Sequence, residues 1–172
     1  WQAFTPRYNH HIAGPQAAAA LADDGLPCPL CAGVANRVVW HCAAWRVVHA
    51  DSCAEEDFPA FYRLVSNAHH EEWTDLPESL RQEGMAILAC IETVLRQCLH
   101  PRKINLASLG NVVPHLHWHI IARFDWDSHF PDPVWAAPRR APDAQKLAAL
   151  RARLPEVETA LIQALQPWKD VD

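Results

Sequence analysis

The chain has 172 residues, half of them hydrophobic and a fifth charged, which is enough to bury one core and gives no argument for two domains. A net charge of −5 and a pI of about 6.1 exclude the clustered Lys and Arg of a nucleic-acid track, while leaving room for a small anionic ligand bound by backbone N–H groups and imidazoles. No run approaches the ~20 apolar residues that span a bilayer, the opening WQAFTPRYNHH lacks the pattern of a secretory signal, and six Cys without a scaffold spacing suit a reducing cytoplasm.

Residues 1–27 read as an N-terminal arm, with an alanine-rich run after Pro15 that Asp23-Asp24-Gly25 breaks. Cys28-Pro29-Leu30-Cys31 follows. Two thiolates at that spacing can chelate one Zn²⁺, but a closed structural site needs four ligands. No other Cys makes a second such pair, so histidine is the expected source of the remainder. Short runs rich in Trp, Val, Tyr and Phe then occupy 37–40, 45–50 and 61–66, with Asp57-Phe58-Pro59 between the last two; they predict an antiparallel meander.

A long helix is predicted from Asp75, where Asp75 and Glu78 have capping-box spacing and Pro77 is tolerated in the first turn. Leu80, Ile87, Leu88, Ile91, Val94, Leu95 and Cys98 recur at three- and four-residue steps and give it one apolar face, and His100-Pro101 ends it. Two further strands are expected at 104–109 and 115–124, joined through Gly110. A proline-rich stretch (Pro131, Pro133, Pro138, Pro142) leads to two helical segments, 143–154 and 156–166, divided by Pro155. Strands, one long helix, then strands predict an α+β domain with an antiparallel sheet. The expected division is an arm (1–27), a main domain (28–130) and a helical extension (131–172) packed on the domain or on a dimer partner.

The segment His115-Leu116-His117-Trp118-His119 carries the chemistry. On a strand, alternate side chains share a face, so three imidazoles are set against Leu116, Trp118 and Ile120. A solvated polar stripe would draw on Thr, Lys, Glu and Ser. A metal site using all three rings is strained, because same-face residues rise ~6.6 Å apart. Nucleophilic catalysis on phosphate suits them better: a neutral imidazole attacks, and its neighbours hydrogen-bond the phosphate oxygens.

The run N-L-A-S-L-G-N-V-V-P-H-L-H-W-H-I-I-A-R-F (105–124) resembles the signature of the histidine-triad (HIT) family, a strand with Asn, a glycine turn and His-x-His-x-His. The likeness continues upstream through Y-R-L-V-S-N-A-H-H-E-E-W-T-D-L-P (62–77). It implies a HIT-like sheet of five strands, a homodimer, and a hydrolase or nucleotidyl transferase acting at a nucleotide's α-phosphate through a nucleotidyl-histidine, similar to diadenosine polyphosphate hydrolases. Dinucleoside polyphosphates, phosphoramidates and acyl-nucleotides are the implied substrates. His117 matches the nucleotidylated residue and His119 the one that contacts phosphate. Asn105, Gly110 and Asn111 match the phosphate and ribose wall, and Asp51 lies near the ribose-binding acid. The zinc-bearing branches of the family use two Cys and two His, which carries over to Cys28, Cys31, His115 and His69, with His70 as the alternative to His69, as ligands of a structural zinc. Asn111 and Val112 stand where the family has Gln and then Ser or Thr, and Ala122 stands where Pro is common. The absent hydroxyl at Val112 motivates an alternative, a nucleotide-binding sensor with weak turnover; a mononuclear metal enzyme using the triad as ligands is the other.

Overall fold

A computed structural model describes residues 28–33, 37–50 and 56–169. The arm 1–27 and Asp51 lie outside the described residues. Five strands, β1 (Arg37–His41), β2 (Trp45–His49), β3 (Phe61–Ser66), β4 (Lys103–Ala107) and β5 (His117–Arg123), form one sheet in the order β1-β2-β3-β5-β4, antiparallel throughout. The α+β architecture with an antiparallel sheet is as the sequence pattern predicts.

The two faces of this sheet do different work. Trp45, Val47, Tyr62, Leu64, Ile104, Leu116, Ile120 and Ala122 point to the helical side and join Ile87, Leu88, Ile91 and Leu95 of α1 (Glu78–Leu99) in the main core. The other face carries Phe61, Arg63 and Val65 of β3 opposite Ile121, His119 and His117 of β5. Ala50, Phe58, Phe61 and Ile121 form a smaller apolar cluster there, with Val134 packed on it. Alternation therefore separates the packing face from the chemical face along a single strand.

Three predicted details are corrected. α1 begins at Glu78, not Asp75. The carboxylate of Asp75 turns back to accept from the backbone N–H of Glu72 (3.0 Å), closing a 3-10 turn over Trp73–Asp75, and Pro77 takes the N-cap. The other end is as expected: His100 adopts a left-handed conformation (φ 50°) before Pro101 and stops the helix. The two predicted C-terminal helices are one, α2 (Ala144–Ala164), with Pro155 inside it. Leu147, Leu150 and Leu154 before the proline and Val157 and Leu161 after it are all buried, and α2 packs on α1. That continuous apolar stripe outweighs the one backbone hydrogen bond that Pro155 removes. Last, β5 starts at His117, so His115 precedes the strand in the connecting loop.

Arg37 of β1 makes a two-pronged ion pair with Glu158 of α2 (2.5 and 2.6 Å), tying the last helix to the edge of the sheet. Among the described residues, no helix is long and apolar enough to cross a membrane.

Candidate active site and metal-ligand cluster

The loop before β5 departs from strand geometry, and this divides the three histidines between two centres. Leu116 N–H donates to the His70 carbonyl (2.6 Å) and Ser66 N–H to the Leu116 carbonyl (3.1 Å), holding the loop against the end of β3. His115, fully buried, donates from Nε2 to the Ser66 carbonyl (2.8 Å). Its Nδ1 lone pair then faces the thiols of Cys28 and Cys31, each 3.4 Å away. His69, in the loop after β3, brings Nδ1 to 3.3 Å from the Cys31 sulfur.

The ligand atoms of Cys28, Cys31, His69 and His115 all lie within 4.8 Å of one another, a group that could hold a metal ion. The fit to zinc is close. With Zn–S of ~2.3 Å and Zn–N of ~2.0–2.1 Å, a tetrahedral site has S···N edges of about 3.5 Å, and the structure shows 3.3–3.4 Å. The Ser66 carbonyl fixes the His115 tautomer as an outer partner of a metal ligand does. Arg46 of β2 pins the cysteine turn by donating to the Leu30 carbonyl (2.7 Å), and its charge lies near both sulfurs. His70 contributes only its backbone carbonyl to these contacts, so His69 is the histidine the fold brings to the cysteines. Burial drives the His115 pKa down to about 4, which keeps the ring neutral and able to ligate.

His117 and His119 lie outside that group. Their rings pack edge to face at 4.8 Å between centroids. His117, 8 % exposed, donates from Nδ1 to the His115 carbonyl (2.6 Å). A carbonyl can only accept, so the proton sits on Nδ1 and the Nε2 lone pair is bare. Burial lowers the His117 pKa; the carbonyl contact opposes this and the charge of Arg63 adds to it. His119 is pushed down to about 3 by burial first, then by His117 and Arg63. Its Nδ1 is buried and without a hydrogen-bond partner among the described residues. Such an atom costs about 1–3 kcal/mol when left unpaired, and a ligand oxygen would satisfy it. Phe61 (5.4 Å) and the half-exposed ring of Trp135 (5.3 Å) close on His119 from two sides.

Asn105, on β4, accepts from Arg123 (2.9 Å) through its side-chain oxygen, leaving its amide NH₂ as the donor it has to offer. It faces Ile121 in the ladder, one pleat beyond Ala107, which pairs with His119. Gly110 has φ +70°, the left-handed conformation that favours glycine, in the turn before the triad, and Asn111 beside it is exposed. Ser108 donates to the His117 carbonyl (3.0 Å), whereas Val112 is 72 % exposed.

Two features escaped the sequence reading. Arg123 ends β5 with the same parity as His117 and His119. It is 2 % exposed and forms a paired ion contact with Asp127, which also accepts from the backbone N–H groups of Phe124, His129 and Phe130. This clamp orders the loop that delivers Trp135 to His119. Arg63, the other omission, pairs across the ladder with His119. Parity along β5 was a usable signal for Arg123. For Arg63 none existed, because parity on β3 means nothing until its register with β5 is known.

The family model described as the HIT domain matches residues 49–126. A histidine triad protein from Bradyrhizobium japonicum is similar at 28% identity, over 70% of this chain and 89% of that one, with a TM-score of 0.55. Histidine triad proteins from Marinobacter aquaeolei VT8 (24% identity, 73% and 90% covered, TM-score 0.57) and Sinorhizobium meliloti 1021 (24%, 70% and 88%, 0.55) share the fold. No curated protein matches the chain.

Proposed function

Residues 49–126 match the HIT domain, and we propose that this chain is a histidine-triad protein that cleaves a nucleotide at its α-phosphate with His117 as nucleophile. Membership implies a nucleotide-binding hydrolase or transferase; substrate and chemistry are our reading. The observation that carries it is the His117 Nδ1–H held on the His115 carbonyl, which leaves Nε2 unprotonated and free of any ligand cluster.

Nε2 of His117 attacks the α-phosphorus, the P–N bond forms, and the bond to the leaving group breaks with its electron pair going to the leaving oxygen or nitrogen. His119 satisfies its orphan Nδ1 on a phosphate oxygen, and the NH₂ of Asn105 and the Gly110-Asn111 turn line the phosphate and ribose wall. Water then attacks the phosphorus, the P–N bond breaks, and nucleoside monophosphate and neutral His117 are released. Dinucleoside polyphosphates and nucleoside phosphoramidates are the substrates this chemistry suits. Cys28, Cys31, His69 and His115 would hold zinc, which when bound cross-ties the cysteine turn to the loops after β3 and before β5. That role removes His115 from catalysis and fixes the carbonyl on which His117 depends. The family also implies a homodimer.

The test is turnover of diadenosine tetraphosphate and an adenosine phosphoramidate, beside a His117→Ala variant. We expect an acid-labile adenylyl adduct on His117 by mass spectrometry, and loss of activity on the order of 10⁴-fold or more in the variant. A His117→Ala protein that keeps wild-type turnover refutes the assignment.

A further inference from the structure

The chemical face of the sheet carries three arginines. Arg46 donates to the Leu30 and Ser66 carbonyls and the Asn67 side chain, and so serves the cysteine turn. Arg123 serves the Asp127 clamp. Arg63 stands between them on β3, half-buried, its Cα directly opposite that of His119. Directly opposed residues on one face of an antiparallel pair have Cβ atoms ~4.5–5.5 Å apart, so the Arg63 stem rises beside the His119 ring. Its guanidinium carbon lies 5.1 Å from the Phe61 ring centroid, and that same ring is 5.4 Å from His119. The three side chains make one continuous wall.

A phosphate at this wall needs more than hydrogen bonds. Both imidazoles are buried, and the chain as a whole is acidic, with a net charge of −5. The buried Nδ1 of His119 has no hydrogen-bond partner among the described residues, and a ligand oxygen would satisfy it. We propose that Arg63 is the phosphate-binding cation of the site, holding non-bridging oxygens of the nucleotide's phosphate beside His119 and so selecting charged nucleotides over nucleosides. The assignment rests on the nucleotide reading above and adds to it a residue and a basis for discrimination. A guanidinium suits the task because its planar fork meets two phosphate oxygens at once.

The experiment is calorimetric binding of AMP and of adenosine to wild type, Arg63→Gln and Arg63→Lys, with melting temperatures recorded for each. Arg63→Gln weakens AMP roughly 10- to 100-fold, the loss expected for one charge-assisted pair, and leaves adenosine unchanged. Arg63→Lys, which keeps the charge, recovers part of the AMP affinity and keeps the assignment testable should Arg63→Gln fold poorly. Equal AMP affinity in wild type and Arg63→Gln overturns the assignment while leaving the nucleotide reading intact. Equal losses of AMP and adenosine overturn it in favour of a packing role. A wild-type protein that binds no AMP overturns the nucleotide reading, and this assignment with it.

Discussion

Replacing Asp127 by Ala removes the centre of a buried charge network. Its carboxylate and the Arg123 guanidinium are 3 % and 2 % exposed. Oδ2 accepts from Arg123 Nε (2.8 Å) and Phe124 N–H (3.2 Å); Oδ1 accepts from Arg123 Nη2 (2.9 Å), His129 N–H (3.0 Å) and Phe130 N–H (2.7 Å). The variant leaves a buried guanidinium hydrogen-bonded only to the side-chain oxygen of Asn105 and the backbone carbonyl of Asp132, and three backbone donors without their acceptor. Breaking a buried pair from one side costs about 3–5 kcal/mol, a large part of the ~5–15 kcal/mol that stabilises a typical domain. At about 2–4 °C per kcal/mol for a chain of this size, the melting temperature falls by roughly 6–20 °C. Urea unfolding and thermal melts at pH 7 measure it.

The pH dependence supplies a second check. Burial alone would raise the Asp127 pKa, but Arg123 and the Phe124 and His129 N–H groups outweigh it, and the net shift is downward. A depressed carboxylate stabilises the fold above its unfolded pKa of about 3.9, and loses that contribution as pH falls through the folded value. The gap between wild type and Asp127→Ala is therefore full at neutral pH and narrows only below about pH 4. A variant within about 1 kcal/mol of wild type at pH 7, or a gap that closes near pH 6, refutes the reasoning. The paired change Arg123→Met with Asp127→Leu should cost less than Asp127→Ala alone, since it leaves no uncompensated charge.

Gly84→Ala in α1 inverts the usual helix preference: the added Cβ meets the buried Trp45 indole at 2.8 Å, so we expect a loss of about 1–2 kcal/mol in urea melts where an open helix site would gain up to ~1. A stabilised variant would show that Trp45 can move aside. Cys28→Ser should release one zinc equivalent in metal analysis, and a chelator should destabilise wild type by at least about 4 kcal/mol, as for a ligand present at a thousandfold excess over its Kd; zinc content unchanged by the substitution would rule out the four-residue site. Trp135→Ala uncovers one side of His119 without touching the clamp. Substrate KM should rise about tenfold, the scale of one lost aromatic contact, with melting temperature unchanged, and an unaltered KM would remove Trp135 from the pocket.

Local patterning was a good guide wherever one force dominates. The heptad-like run of Ile87, Leu88, Ile91 and Leu95 read correctly as a core helix because burial alone decides it, and the meander followed from β-branched and aromatic runs between turns. The errors fall where two local rules compete. Asp75 could cap forward or backward, and Pro155 could break a helix or be carried by packing that lies far away in sequence. The Cys28, Cys31, His69 and His115 quartet was named from resemblance, and the fold brings those four together; spacing alone accounts for only the two cysteines. The Arg123–Asp127 clamp and the place of Arg63 depend on strand register and loop path, which no single segment encodes.

The Arg37–Glu158 contact has a consequence for synthesis. The two residues are 121 positions apart, so this latch on β1 cannot close until α2 has left the ribosome. At about 5–20 residues per second the nascent sheet carries an unlatched edge for roughly 6–24 seconds, a window in which holdase chaperones would find it. Stalled nascent chains ending before α2 should be cleaved near β1 by a protease that spares the finished protein.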